Sequence, residues 1–174
     1  MFSESVKIGK KHKIHIWKLV LFAVLAAVTI KNSFVGADMD EGYAIVLAHR
    51  ITQGDKLLLQ MWEPHQTSAI FTALFIRVFM LATGGRLTFL NIYLRIVYFV
   101  IHGAIAFFLY RTLIKCFARM SGEYAVLLST LFYVTSPKNI YIPEYSNLHI
   151  WFFMLTVIFS TLWIMNLMSR FHLH

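Results

Sequence analysis

The sequence predicts an all-α membrane protein, with about five transmembrane helices and an amphipathic surface helix in the first external loop. Three observations carry that prediction. The 174 residues are 59% hydrophobic and 14% charged, against about 45–50% and about 25% in soluble domains. The apolar residues gather in runs close to the roughly 20 residues that a helix needs to cross a bilayer. Lys7, Lys10, Lys11, Lys13 and Lys18 crowd around the start of the first run, the bias that marks a cytoplasmic flank. A soluble core of this size has no room for so much apolar side chain.

The net charge of +8 does not point to nucleic acid. The lysines sit beside a membrane span, where they set topology and meet anionic headgroups, and no basic stripe with interleaved aromatics follows. Cys116 is the only cysteine, which excludes an internal disulfide and a cysteine-based zinc site.

A basic cytoplasmic tail occupies residues 1–16, and the first span covers 17–35. The lysine-rich flank and Val35-Gly36-Ala37 also fit a signal peptide. Lys31 interrupts the segment and further spans follow, which favours an uncleaved anchor. Residues 36–67 form an external acidic loop. Within it Asp40 reads as an N-cap and Gly54 as the residue just past a helix end. Tyr43, Ala44, Leu47, Ala48 and Ile51 share one face of that helix, with Glu41, His49, Arg50 and Gln53 elsewhere, the pattern of a helix lying on a membrane surface. Residues 55–63 read as an irregular return, with Pro64 at the entry to the next span.

Residues 68–168 hold four further hydrophobic segments: 68–83 ended by Gly84-Gly85, one within 87–114, a short one at 124–136 stopped by Ser136-Pro137, and 148–168. The whole chain reads as one transmembrane module. One tension remains in this layout. Strict alternation from a cytoplasmic N-terminus puts the loop with Arg111, Lys115 and Arg119 outside, whereas the positive-inside rule prefers it inside.

The external loop opens with Asp38-Met39-Asp40-Glu41-Gly42-Tyr43. It continues through the helix to Gly54-Asp55 and closes with Trp62-Glu63-Pro64-His65-Gln66, and Arg95 lies in the third hydrophobic segment. This ordered set resembles the N-terminal part of GT-C glycosyltransferases, multi-span enzymes that use a sugar carried on a polyprenyl phosphate. Protein mannosyltransferases and aminoarabinose transferases belong to that group.

The resemblance implies transfer of a sugar from a polyprenyl-phosphate donor to a cell-surface acceptor, in the plasma (inner) membrane. Asp40 matches the loop aspartate and would act as general base, supported by Glu41 or Asp38. A divalent metal, used by some members, would draw on Asp38 and Asp40. Asp38, His65 and Arg95 are the candidates for binding donor or acceptor. The chemistry suits these types, because a hydroxyl needs a proton acceptor and a departing phosphate needs positive charge.

Plainer roles stand beside these. Asp40 caps a helix, His65 is an interfacial histidine, and Arg77 snorkels to the interface instead of meeting a lipid phosphate. His102, followed by Gly103 and Ala104, reads as a packed, hydrogen-bonded histidine. Glu144 and Tyr145 are placed on the same external cavity. Complete members of the group are much longer, so the chain reads as a fragment, a truncated copy or a small module completed by a partner subunit. The rival reading is non-enzymatic, a small lipid-linked sugar flippase or an accessory subunit. The acidic loop with its own helix argues against a small flippase.

Overall fold

The computed structural model describes residues 16–34, 39–61, 65–116, 122–134 and 140–171, and they are all-helical. Six helices follow one another: α1 (Ile16–Phe34), α2 (Met39–Gln53), α3 (Gln66–Thr83), α4 (Leu90–Cys116), α5 (Gly122–Val134) and α6 (Tyr145–Phe171). Each matches an expected segment within a few residues, the usual uncertainty of helix ends. By length and composition three of them suffice to cross a membrane: Gln66–Thr83, Leu90–Cys116 and Tyr145–Met168. The basic tail, Asp38, Trp62 to Pro64, Arg119 and Ser136 to Lys138 lie outside the described residues.

Chain punctuation follows the sequence. α2 ends at Gly54, whose φ of 104° suits only glycine well, and Gly54 N and Asp55 N donate to the carbonyls of Ile51 and Arg50. This paired closure satisfies carbonyls that a helix end would leave bare. Gly84 ends α3 in the same left-handed region. Asp40 lies inside the first turn of α2, which starts at Met39, so it is not the N-cap that the sequence suggested.

α4 is the spine. α6 runs parallel to it, since Trp151 Nε1 donates to His102 Nδ1 at one end and Cys116 Sγ meets Met165 Sδ at the other. α5 runs antiparallel along α4, with Phe132 beside His102. α1 is antiparallel as well. Asn32 accepts from Arg95, and Thr29 bonds Tyr133, whose ring packs beside Gly103. Consequently α1 ends, and α4 and α6 begin, at the same end of the bundle.

α2 and α3 lie side by side across that end, running in the same direction. Thr52 at the close of α2 meets Met80 near the close of α3, and after α2 the chain turns back over residues 54–61. Gln60 and Gln66 pin this return by accepting from Lys56 N and Leu58 N. Thr72 of α3 donates to the carbonyl of Pro143 just before α6. Further along α3, Phe79 packs on Tyr93 of α4 at 5.0 Å. Their shared core is Leu47, Ala48, Met61, Ala73, Ile76, Leu94 and Ile142.

A second core lies inside the bundle, where Tyr98, Ile105, Leu148, Trp151 and Ile158 are buried. His102 sits among its rings as a neutral imidazole, accepting at Nδ1 from Trp151 and donating from Nε2 to the Phe132 carbonyl at 3.0 Å. That carbonyl belongs to the last described turn of α5. The packed histidine expected from the sequence is what stands here. Outward faces are apolar, as Val24, Val100, Phe153, Phe159 and Trp163 show, which fits lipid surroundings.

The bundle is tied to its cap by one buried ion pair. Arg95 Nη2 donates to Glu41 Oε2 at 2.5 Å, with Glu41 0% and Arg95 2% exposed. The second carboxylate oxygen accepts from Tyr141 N at 2.9 Å, and Arg95 Nη1 donates to the Asn32 carbonyl at 3.0 Å. One arginine thus holds the end of α1, the start of α2 and the approach to α6. Removing one partner leaves a buried charge uncompensated, at a cost of about 3–5 kcal/mol. Glu41→Ala should therefore destabilise the detergent-solubilised protein by about that amount. Arg95→Met added to it should recover part of the loss, and a cycle of thermal melts that shows simple additivity would count against the coupling.

Candidate functional site

Three helices begin around one cavity. Asp40 and Tyr43 come from the first turns of α2, and His65, Ser68 and Thr72 from the start of α3. Glu144 and Tyr145 come from the start of α6, and the enclosed volume is about 180 Å³. This is smaller than the roughly 300–1,000 Å³ of drug-sized pockets and suits a single small polar group such as one sugar ring. The apolar side of the lining is Ala44, Leu47 and Ala69.

Each side chain is positioned by local chemistry. His65 precedes α3 and makes no side-chain cap bond; its ring instead stacks on Tyr145, with centroids 3.7 Å apart and planes 3° from parallel. Glu144 is the residue before α6, and its Oε1 accepts from the amides of Ser146 and Asn147. A carboxylate there satisfies bare helix donors and complements the helix dipole. Asn147 fixes the preceding loop by donating to the carbonyls of Ile140 and Ile142. The α6 donors are taken up by Glu144, so the partial positive charge of the helix starts meets two carboxylates, Asp40 and Glu144, on the lining of one cavity.

Of the residues singled out in the sequence, Asp40 and His65 line this cavity, and Glu144 and Tyr145 join them there. Glu41 and Arg95 do not. Both are buried in their mutual ion pair, which gives them a structural task. Sequence periodicity placed Glu41 off the buried face of α2, yet it lies among that helix's buried residues with Leu47 and Ala48. An ion pair lets a carboxylate occupy a core position, and hydrophobic spacing alone does not register that. Tyr43, Ser68 and Thr72 were missed as cavity residues. Their hydroxyls carry no local motif, and only the side-by-side packing of α2 and α3 brings them together.

Asp55, part of the loop pattern, pairs with Arg50 at 2.6 Å. Arg50 also donates to the Gln60 carbonyl, so this ion pair braces the return of the loop. Among the described residues no group of three His, Cys, Asp or Glu is placed to hold a metal ion. Asp38, the second acid expected to reach one, lies outside the described residues.

No protein-family model, curated protein or solved structure matches this chain. The site therefore stands on its own geometry.

Tyr141, beside the buried pair, supplies a pH readout. Burial first, and then the Glu41 carboxylate, push its phenol above the usual value, with Arg95 opposing. The folded protein then keeps a proton that the unfolded chain releases above about pH 10, so stability falls as pH rises through that region. Between about pH 9 and about pH 11 the parent protein should lose more stability than Tyr141→Phe. Equal losses in paired denaturation curves would remove Tyr141 as the source.

Proposed function

We propose that the chain is a membrane glycosyltransferase of the GT-C type, or the N-terminal part of one. It transfers a sugar from a polyprenyl-phosphate donor to a cell-surface acceptor in the plasma (inner) membrane, with its N-terminus cytoplasmic. The observation that carries this reading is the position of Asp40. The loop aspartate singled out by resemblance shares a small cavity with three helix starts, while its neighbour Glu41 is withdrawn into the core.

The chemistry follows from that arrangement. The acceptor hydroxyl oxygen forms the new bond to the anomeric carbon, and its proton passes to the Asp40 carboxylate. The bond from that carbon to the phosphate oxygen breaks, and its electron pair leaves with the phosphate. The starts of α2 and α3 at the cavity lower the energy of the departing anion. The flat His65–Tyr145 pair offers an apolar face against which a sugar ring can lie, while Ser68 and Thr72, whose hydroxyl protons go to the carbonyls of His65 and Pro143, have only acceptor lone pairs left for its polar edge. Glu41 and Arg95 act through position, since neither reaches the cavity.

A second reading, a non-enzymatic lipid-linked sugar flippase or accessory subunit, draws on a different feature. A groove of about 590 Å³ opens between α1, α4 and α5, lined by Leu25, Ile30, Ala106, Phe107, Val126 and Tyr133. Its apolar walls suit a lipid chain in either case.

Asp40→Asn separates the two readings. General-base catalysis is worth about 10²–10⁴ in rate, so transfer from a radiolabelled polyprenyl-phosphate sugar should fall by about that factor. Membrane insertion and the melting temperature should hold. Unchanged transfer in the variant would remove Asp40 as base, and absence of transfer by the parent full-length protein would favour the non-enzymatic reading.

A further inference from the structure

We infer that α3 does not cross the bilayer but lies on its outer surface, with one apolar stripe resting on lipid. The argument begins with direction. α1 ends and α4 begins at the same end of the bundle, as the Asn32–Arg95 bond requires. The chain between them therefore crosses an even number of times or not at all. α2 and α3 run in the same direction, so the chain must return between the end of one and the start of the other. Had both helices crossed, the return would have crossed too, making three passages, which is odd. α3 alone would make one. Only zero is consistent, although α3 has the length and composition of a span.

Its contacts agree. The start of α3 meets the approach to α6 through Thr72 and Pro143, and its later turns meet the beginning of α4 through Phe79 and Tyr93. Two points on α3, two turns apart, thus sit at one level of the bundle. Charge agrees independently. With α3 on the surface, Arg111 and Lys115 at the far end of α4 fall on the same side as the lysines that precede α1. The positive-inside rule asks for this arrangement, and alternation through α3 breaks it.

The exposed side of α3 fits a lipid surface. Ile70, Leu74, Val78 and Leu81 form a stripe at helical spacing, with Leu81 85% exposed. Ile70 and Leu74 of that stripe share an apolar cleft of about 660 Å³ with the exposed Phe152 and the buried Leu148 of α6, and Arg77 also lines it. Acyl chains beside α6 would fill such a cleft, and an arginine at its edge meets lipid phosphate with a planar donor fork. α1, α4, α5 and α6 then make four crossings, with α5 returning the chain between two parallel helices.

The test uses the full chain in closed membrane vesicles, in a Cys116→Ser background, with single cysteines at exposed positions. Lys56→Cys marks the return loop, Thr88→Cys the turn between α3 and α4, and Glu123→Cys the start of α5. Each thiol is first shown to react in detergent, and Arg86→Cys replaces Thr88→Cys should the latter fail. With a membrane-impermeant maleimide, Thr88→Cys should label from the same face as Lys56→Cys, and Glu123→Cys only after permeabilisation or from the opposite face. Labelling of Thr88→Cys from the face opposite Lys56→Cys would overturn the inference. A fluorophore on Leu74→Cys should be quenched by brominated acyl chains and shielded from aqueous iodide. Iodide quenching as strong as at Lys56→Cys would remove the lipid contact. Neither outcome depends on sugar transfer, so the proposed activity stands or falls separately.

Discussion

Glu41 and Arg95 form the contact on which the rest of the arrangement depends. Arg95 projects from the first turns of α4 and meets an acid from α2 and a backbone carbonyl from the last turn of α1. Three segments far apart in the chain therefore converge on one guanidinium. Arginine suits the task because its planar fork satisfies several acceptors at once and it stays charged when buried. The pair also has a directional effect. Successive residues on an α-helix point about 100° apart, so holding Glu41 in the core turns its neighbour Asp40 away from it, towards the cavity. A structural acid thereby aims a chemical one.

The buried polar groups of the bundle follow the same logic. His102 serves Trp151 and the last turn of α5, Thr72 serves the carbonyl of Pro143, and Asn147 serves two carbonyls of the loop before α6. Each joins elements that apolar packing alone would leave free to slide. In lipid surroundings helix association gains little from the hydrophobic effect, so close packing and hydrogen bonds carry it.

Much of the architecture is legible in the sequence. All six helices, the glycine that ends α2 and the return after it follow from apolar run length, helix punctuation and polarity. The burial of Glu41 does not, because its partner lies 54 residues further on and nothing local marks the pairing. Asp40 and His65 are legible as cavity residues, and Glu144 and Tyr145 follow from their place before α6. Ser68 and Thr72 escape notice for a physical reason. α3 reads as an apolar helix all round, and hydropathy does not tell which hydroxyls its neighbours will enclose. The direction in which α3 lies is hidden in the same way, since composition sets what a helix tolerates and contacts set where it goes.

The parallel course of α4 and α6 has a consequence for biogenesis. Something must carry the chain back between them, and that falls to α5, whose 13 described residues span about 20 Å at 1.5 Å per residue. A bilayer core is about 30 Å thick, so such a segment is a poor candidate for insertion on its own. Its seat depends on α4, already in place along one side, and on the His102 ring that receives its final turn. Translation order makes α4 available first, together with α1, whose Thr29 bonds Tyr133 of α5, and α6 then packs along α4. Assembly of this bundle is therefore sequential, with the weakest segment held by its neighbours until the last helix arrives.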